Sequence, residues 1–203
     1  MERNEALEKA RKLSGMEIRE LPYEEFVEMI DVLSADEIIE ISNKVGYPVF
    51  TRKCMGKLQH KFVLLQDGAA AIIVNEQGQI LMQSRADRDM WGLPGGCQEL
   101  GETMEETVVR EVKEETNLDV REEDLTTIGV ISGPTRRSEY PNGDVVINNT
   151  VLFLIDKYQG EVKFNQESKD MKFFDLDNIP ENQHDPDLVE AYKKYLVKTN
   201  KRR

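Results

Sequence analysis

Apolar residues recur along the first sixty positions at helical intervals. Leu7, Ala10 and Leu13 make one short stripe, and Tyr23, Phe26, Val27 and Ile30 make a second. Ser34-Ala35-Asp36-Glu37 is a capping box ahead of Ile38, Ile39 and Ile41, and Gly46-Tyr47-Pro48 stops that helix. Near His60 the period shortens. Residues 61–65 and 68–74 are strand-like, and Asn75-Glu76-Gln77-Gly78 turns the chain into Gln79-Ile80-Leu81-Met82. Further strands are predicted at 125–132, 145–156, 161–165 and 171–174, with Pro141-Asn142-Gly143-Asp144 as a hairpin signal. Asp185-Pro186 opens a last helix along Leu188, Ala191, Tyr192, Tyr195 and Leu196. Between the two groups of strands, Thr103-x-x-Glu106 caps a helix whose Val108, Val109 and Val112 share one side. Strands, a helix, more strands and a closing helix predict α plus β structure, a mixed sheet covered by helices on its faces. Residues 1–60 read as a helical N-terminal extension and 61–200 as the main domain. The extension carries no legible chemistry, so packing or a homodimer contact is its expected role.

The central helix is unusual on its other face. Glu111, Glu114 and Glu115 stand at i, i+3 and i+4, which places three carboxylates close together. At about 6 Å apart and an effective dielectric near 20, each pair repels by roughly 2–3 kcal/mol. Such an arrangement does nothing for stability by itself. It becomes favourable around a hard divalent cation, for which oxygen ligands are suited.

Charge narrows the partners. The formal net charge is −12, which argues against a nucleic-acid binder, since that would need a basic face. Cations available to an anionic ligand include Arg85, Arg88, Arg136 and Arg137. The longest apolar run, residues 69–74, is far short of the ~20 residues of a membrane span. No apolar signal core marks the N-terminus for export, and two cysteines do not make a disulfide framework. A cytoplasmic protein is expected.

The stretch 96–118, GCQELGETMEETVVREVKEETNL, resembles the signature of the Nudix hydrolases, Gly-x5-Glu-x7-Arg-Glu-U-x-Glu-Glu-x-Gly-U with U aliphatic. Gly96, Glu102, Arg110, Glu111, Glu114 and Glu115 all match, as does the approach Trp91-Gly92-Leu93-Pro94-Gly95-Gly96. Asn117 stands where the family has its second glycine, and Asn is the usual substitute for Gly in a left-handed helix cap. The resemblance implies an α/β/α sandwich and Mg2+-dependent (or Mn2+-dependent) hydrolysis of a nucleoside diphosphate linked to a further group X. Glu111 and Glu115 would be the principal metal ligands, Glu114 a ligand or the water-activating base, and the Gly95 carbonyl a further ligand. Arg110 would pair with Glu102 or another motif acid. Arg85 sits where relatives bind phosphate, and Glu167 or Asp170 where many supply an extra carboxylate. Pro134 lies sixteen residues beyond Leu118, about where members that cleave ADP-ribose tend to have a proline. Arg136, Arg137 and Tyr140 follow it as candidates for a second phosphate or a base. An ADP-ribose-like substrate is favoured; the alternatives are a mutator-type hydrolase of oxidised nucleoside triphosphates and a nucleotide-sensing module without turnover.

Overall fold

Helical caps written into the sequence shape the N-terminal part of the chain. The structure, a computed structural model, describes residues 1–46, 50, 53–54, 63–86, 89–139 and 145–200. Among these, α1 (Arg3–Lys12), α2 (Gly15–Glu20), α3 (Tyr23–Ile30) and α4 (Ala35–Val45) come first. Ser14 and Ser34 both accept the N–H of the glutamate three residues on, and that glutamate returns to the serine N–H at 2.8 Å. The capping box before α4 was legible in advance, while the one before α2 was not singled out. Ala6, Ala10, Ile18, Phe26, Met29, Ile41 and Phe50 form the core of this part. Tyr23, expected on its apolar stripe, is exposed, and Met29 is buried instead.

The remaining elements are β1 (Val63–Ile73), β2 (Ile80–Arg85), β3 (Trp91–Gly92), β4 (Gly95–Cys97), α5 (Met104–Thr116), β5 (Thr126–Ile131), β6 (Arg137–Glu139), β7 (Val145–Ile155), β8 (Ser168–Phe174) and α6 (Pro186–Asn200). One sheet runs β4-β1-β7-β5, with β6 on β7; the other runs β3-β2-β8. The chain divides into two compact units, Met1–Leu64 with Glu99–Gly101 and Ser138–Val146, and Leu65–Gln98 with Glu102–Arg137 and Ile147–Arg203.

Strand alternation explains why helices cover two faces. Ala69, Ala71 and Ile73 of β1 pack with Val108 and Val112 of α5. Ala70 and Ile72, pointing the other way, pack with Leu188, Val189 and Tyr192 of α6. The result is the expected α/β/α layering. Residues 61–65 and 68–74, read as two strands, are one continuous β1 from Val63. Residues 161–165, expected to form a strand, do not. Their polar groups serve the end of α5 instead, with Lys163 N–H donating to Thr116 O (2.9 Å) and Asn117 donating to Glu161 O (3.2 Å). His60, Arg88, Tyr140, Tyr47-Pro48 and the hairpin signal at 141–144 lie outside the described residues. No helix among the described residues is long and apolar enough to cross a membrane.

Candidate active site

Capping sets both ends of the acidic helix. Thr103 Oγ1 accepts the Glu106 N–H (3.1 Å), and the Glu106 carboxylate accepts the Thr103 N–H (2.7 Å). At the other end Asn117 is left-handed, with φ 64°, and its N–H closes on Lys113 O (3.1 Å). Asn therefore does here what the signature's glycine does elsewhere. Val108 and Val112, fully buried, fix the rotation of α5. That rotation presents the three motif acids at graded depth. Glu115 is buried (4% exposed), Glu111 is half-buried, and the Glu114 side chain is 56% exposed.

Two glycines bring β4 against this helix. A side chain at Gly96 would begin 2.3 Å from Glu111 Oε1, so any larger residue would push that carboxylate from its place. Gly95 has φ 147°, and a Cβ there would lie 2.3 Å from Ala69 O on the paired strand β1. The backbone so placed donates the Gly95 N–H to Glu115 Oε2 at 2.8 Å.

Arg110 organises the rest of the motif. Its guanidinium donates to Glu102 (2.7 and 3.1 Å), to Glu111 Oε1 (2.8 Å), to Glu114 Oε2 (3.4 Å) and to Cys97 O (3.0 Å). Glu102 accepts in addition from Thr107 Oγ1 (2.9 Å), which ties the loop to the first turns of the helix. These acids hold Arg110 more firmly charged than usual. Burial raises the Glu111 pKa despite the neighbouring guanidinium, with Glu114 and Glu167 adding like-charge repulsion. Burial likewise pushes Glu115 up to about 7, opposed by hydrogen bonds from Gln83 and Gly95 N–H and by Arg85, and assisted by Glu111.

The structure thus draws Glu111, Glu114, Glu115, Glu167, Arg85 and Gly95 toward one region. Glu167 is carried by a loop docked on α5: Asn165 donates to Glu114 O (3.1 Å) and accepts the Glu167 N–H (2.8 Å). Asp170 is placed otherwise. It lies on β8 opposite Ser84, with its carboxylate engaged by Lys172 and by the Met171 N–H. Arg137 is exposed at the start of β6. Arg136, expected in a polar loop, is buried at 5% exposure. It donates to Asp185 (2.6 Å), Asp187 (2.8 Å) and Thr150 (3.0 Å), so its charge is already matched by two carboxylates. One residue escaped the sequence reading: Gln83, polar directly after the apolar Ile80-Leu81-Met82, touches Glu115.

As a metal site, Glu111, Glu114, Glu115 and Glu167 offer hard oxygen donors, among them a carboxylate that burial leaves short of compensating charge. That set fits Mg2+ or Mn2+. Among the described residues, no three acidic, histidine or cysteine side chains already converge as ligands. Arg110 is what draws Glu111 and Glu114 toward itself.

Residues 64–195 match the NUDIX domain family model, well over half of the chain. Over 134 residues the chain is 37% identical to the ADP-ribose pyrophosphatase of Methanocaldococcus jannaschii, covering 64% of this chain and 75% of that one. The MutT NUDIX hydrolase of Burkholderia pseudomallei superposes with a TM-score of 0.53 at 25% identity, covering 63% of this chain and 97% of that one. The NUDIX domain of Shewanella oneidensis NrtR, solved with ADP ribose, shares the fold at a TM-score of 0.53 and 20% identity, covering 67% and 91%. The chain belongs to the Nudix hydrolase family and is a pyrophosphohydrolase.

Proposed function

We propose that this protein hydrolyses the pyrophosphate linkage of a nucleoside diphosphate joined to a further group, with ADP-ribose as the favoured substrate and Mg2+ as the cofactor. The observation that carries the proposal is the buried Glu115, held under Gly95 and beside Glu111 on a helix cut to the family signature. The 37% identity to an archaeal ADP-ribose pyrophosphatase supports the substrate. Glu111, Glu115, Glu114 and the Gly95 carbonyl would hold the metal. Once bound, the ion supplies charge neutralisation at the phosphates and acidifies a bound water. Arg85, electrostatically coupled to Glu115, faces the anionic phosphates. Glu114 or Glu167, toward the open side, takes the proton from the attacking water. Arg110 keeps Glu102 and the glycine loop in register with α5.

The test is a product assay with ADP-ribose and Mg2+, with and without excess chelator, run beside an oxidised nucleoside triphosphate. AMP and ribose 5-phosphate should appear only when the metal is available. Turnover of the triphosphate with ADP-ribose untouched would replace this substrate by the mutator type. No turnover of any nucleotide diphosphate would leave a sensor.

A further inference from the structure

Glu115 differs from the other motif acids in what holds it. Glu111 and Glu114 lean on the full positive charge of Arg110. Glu115 instead receives two neutral donors, the Gly95 N–H at 2.8 Å and the side-chain amide of Gln83. Gln83 is only 1% exposed, in mid-strand on β2 after the buried Leu81 and Met82. An amide so buried is tolerable only when both of its ends are bonded. Its oxygen accepts the hydroxyl of Ser168, itself buried, at 2.5 Å. With the oxygen committed to β8, the NH2 end is the one that meets Glu115.

We infer that Gln83, set in orientation by Ser168, is a positioning residue for Glu115; this rests on the proposal that Glu115 binds the divalent ion. Neutral donors orient a carboxylate without cancelling its charge, so the full negative charge stays available to a cation. A salt bridge in the same place would compete with the metal. Ser168 also directly follows Glu167, whose carboxylate is coupled to Glu111, and pairs in register with Arg85. One hydroxyl therefore ties the strand that carries Arg85 and Gln83 to the loop that carries Glu167.

Mn2+ titration of chelator-stripped protein, following free ion by electron paramagnetic resonance, tests this without any substrate. Gln83→Leu should weaken Mn2+ binding about tenfold or more. Ser168→Ala, which leaves the amide free to turn, should weaken it about threefold, and Ser168→Thr should restore wild-type affinity. In a Glu115→Gln background, Gln83→Leu should weaken the residual binding no further, because the carboxylate it orients is gone. Wild-type affinity in Gln83→Leu would overturn the assignment while leaving the metal reading intact. A further loss in the Glu115→Gln background would also overturn it, as general damage to the sheet. Wild-type protein that takes up no Mn2+ would overturn both readings. Should Gln83→Leu not fold, the serine variants decide: equal affinities for Ser168→Ala and wild type refute the role.

Discussion

Replacing Glu115 by Gln should make the metal-free protein more stable and the metal-loaded protein less so. Glu115 is 4% exposed, and its carboxyl titrates at about 7 instead of 4.5, chiefly because burial disfavours the charged form. The folded-state pKa is raised. This residue's contribution to stability is therefore fully present below pH 4.5 and is lost as the pH rises through 7. At 1.36 kcal/mol per pH unit, the difference amounts to about 3 kcal/mol at pH 8. Gln at the same place keeps an oxygen for the Gly95 N–H and has no charge to bury. Some of the gain is lost in refitting the amide against Gln83, so a net 1–3 kcal/mol is expected, about 3–9 °C in Tm for a chain of this size.

Thermal melts between pH 5 and 8 in excess chelator would show this. The wild-type Tm should fall with rising pH, and the Glu115→Gln profile should be flatter, with a residual slope from Glu111, whose pKa is also raised. Adding Mg2+ should reverse the ranking. At a hundredfold excess over Kd, bound metal stabilises the wild type by about 2.7 kcal/mol, and the variant, lacking a ligand, gains little. Turnover should drop by about 10²-fold or more in the same variant. A Glu115→Gln protein melting at or below wild type in chelator at pH 8, with an unchanged pH slope, would refute the claim that an uncompensated buried charge sits at this position.

Two further substitutions probe the frame around the acids. Asn117→Gly should stay within about 0.5 kcal/mol of wild type, because relief at φ 64° offsets the lost bond to Glu161 O; Asn117→Val should cost about 1–2 kcal/mol, and equal Tm values for the two would mean that the cap is not left-handed in solution. Arg136→Met should lower stability by about 3 kcal/mol or more, on the order of 10 °C in Tm, since Asp185 and Asp187 lose their shared cation, while KM for ADP-ribose stays within about twofold; a raised KM with unchanged Tm would return Arg136 to the substrate.

What the sequence made legible was whatever depends on near neighbours. The capping boxes at Ser34 and Thr103, the apolar side of α5 and the left-handed Asn117 are settled within about four residues of chain, and spacing alone identifies them. Gly96 could be placed by signature, though its reason, the Glu111 carboxylate 2.3 Å from where a Cβ would stand, is tertiary. The misreadings share a cause. Arg136 reads as a cation open to an anionic ligand because its acidic partners lie about fifty residues later, at Asp185 and Asp187. Gln83 lies just past the predicted strand end at Met82, and nothing nearby in the sequence marks it, because its partner Ser168 is 85 positions away. Residues 161–165 have an alternation that suits a strand, but an unmatched helix end claims their hydrogen bonds. Hydrophobic period reports which way a residue points; it says nothing of what a buried polar group will meet.

The crowding of Glu111, Glu114 and Glu115 poses an electrostatic problem, and the structure divides it into three parts. Glu114 is left to solvent, where the high dielectric weakens every term. Glu111 is half-buried and takes a guanidinium, so its charge is matched inside the protein. Glu115 has neither remedy. It is buried beneath β4, is oriented by a backbone amide and Gln83, and feels Arg85 only as a lesser influence. A carboxylate in that position has two ways out, a proton or a cation from outside the chain. Its pKa near neutrality is the signature of the first, and the oxygen-rich surroundings suit the second. On the proposed metal site, the destabilising residue of the motif and the principal ligand are therefore the same one, for one reason: the fold gives Glu115 orientation without neutralisation.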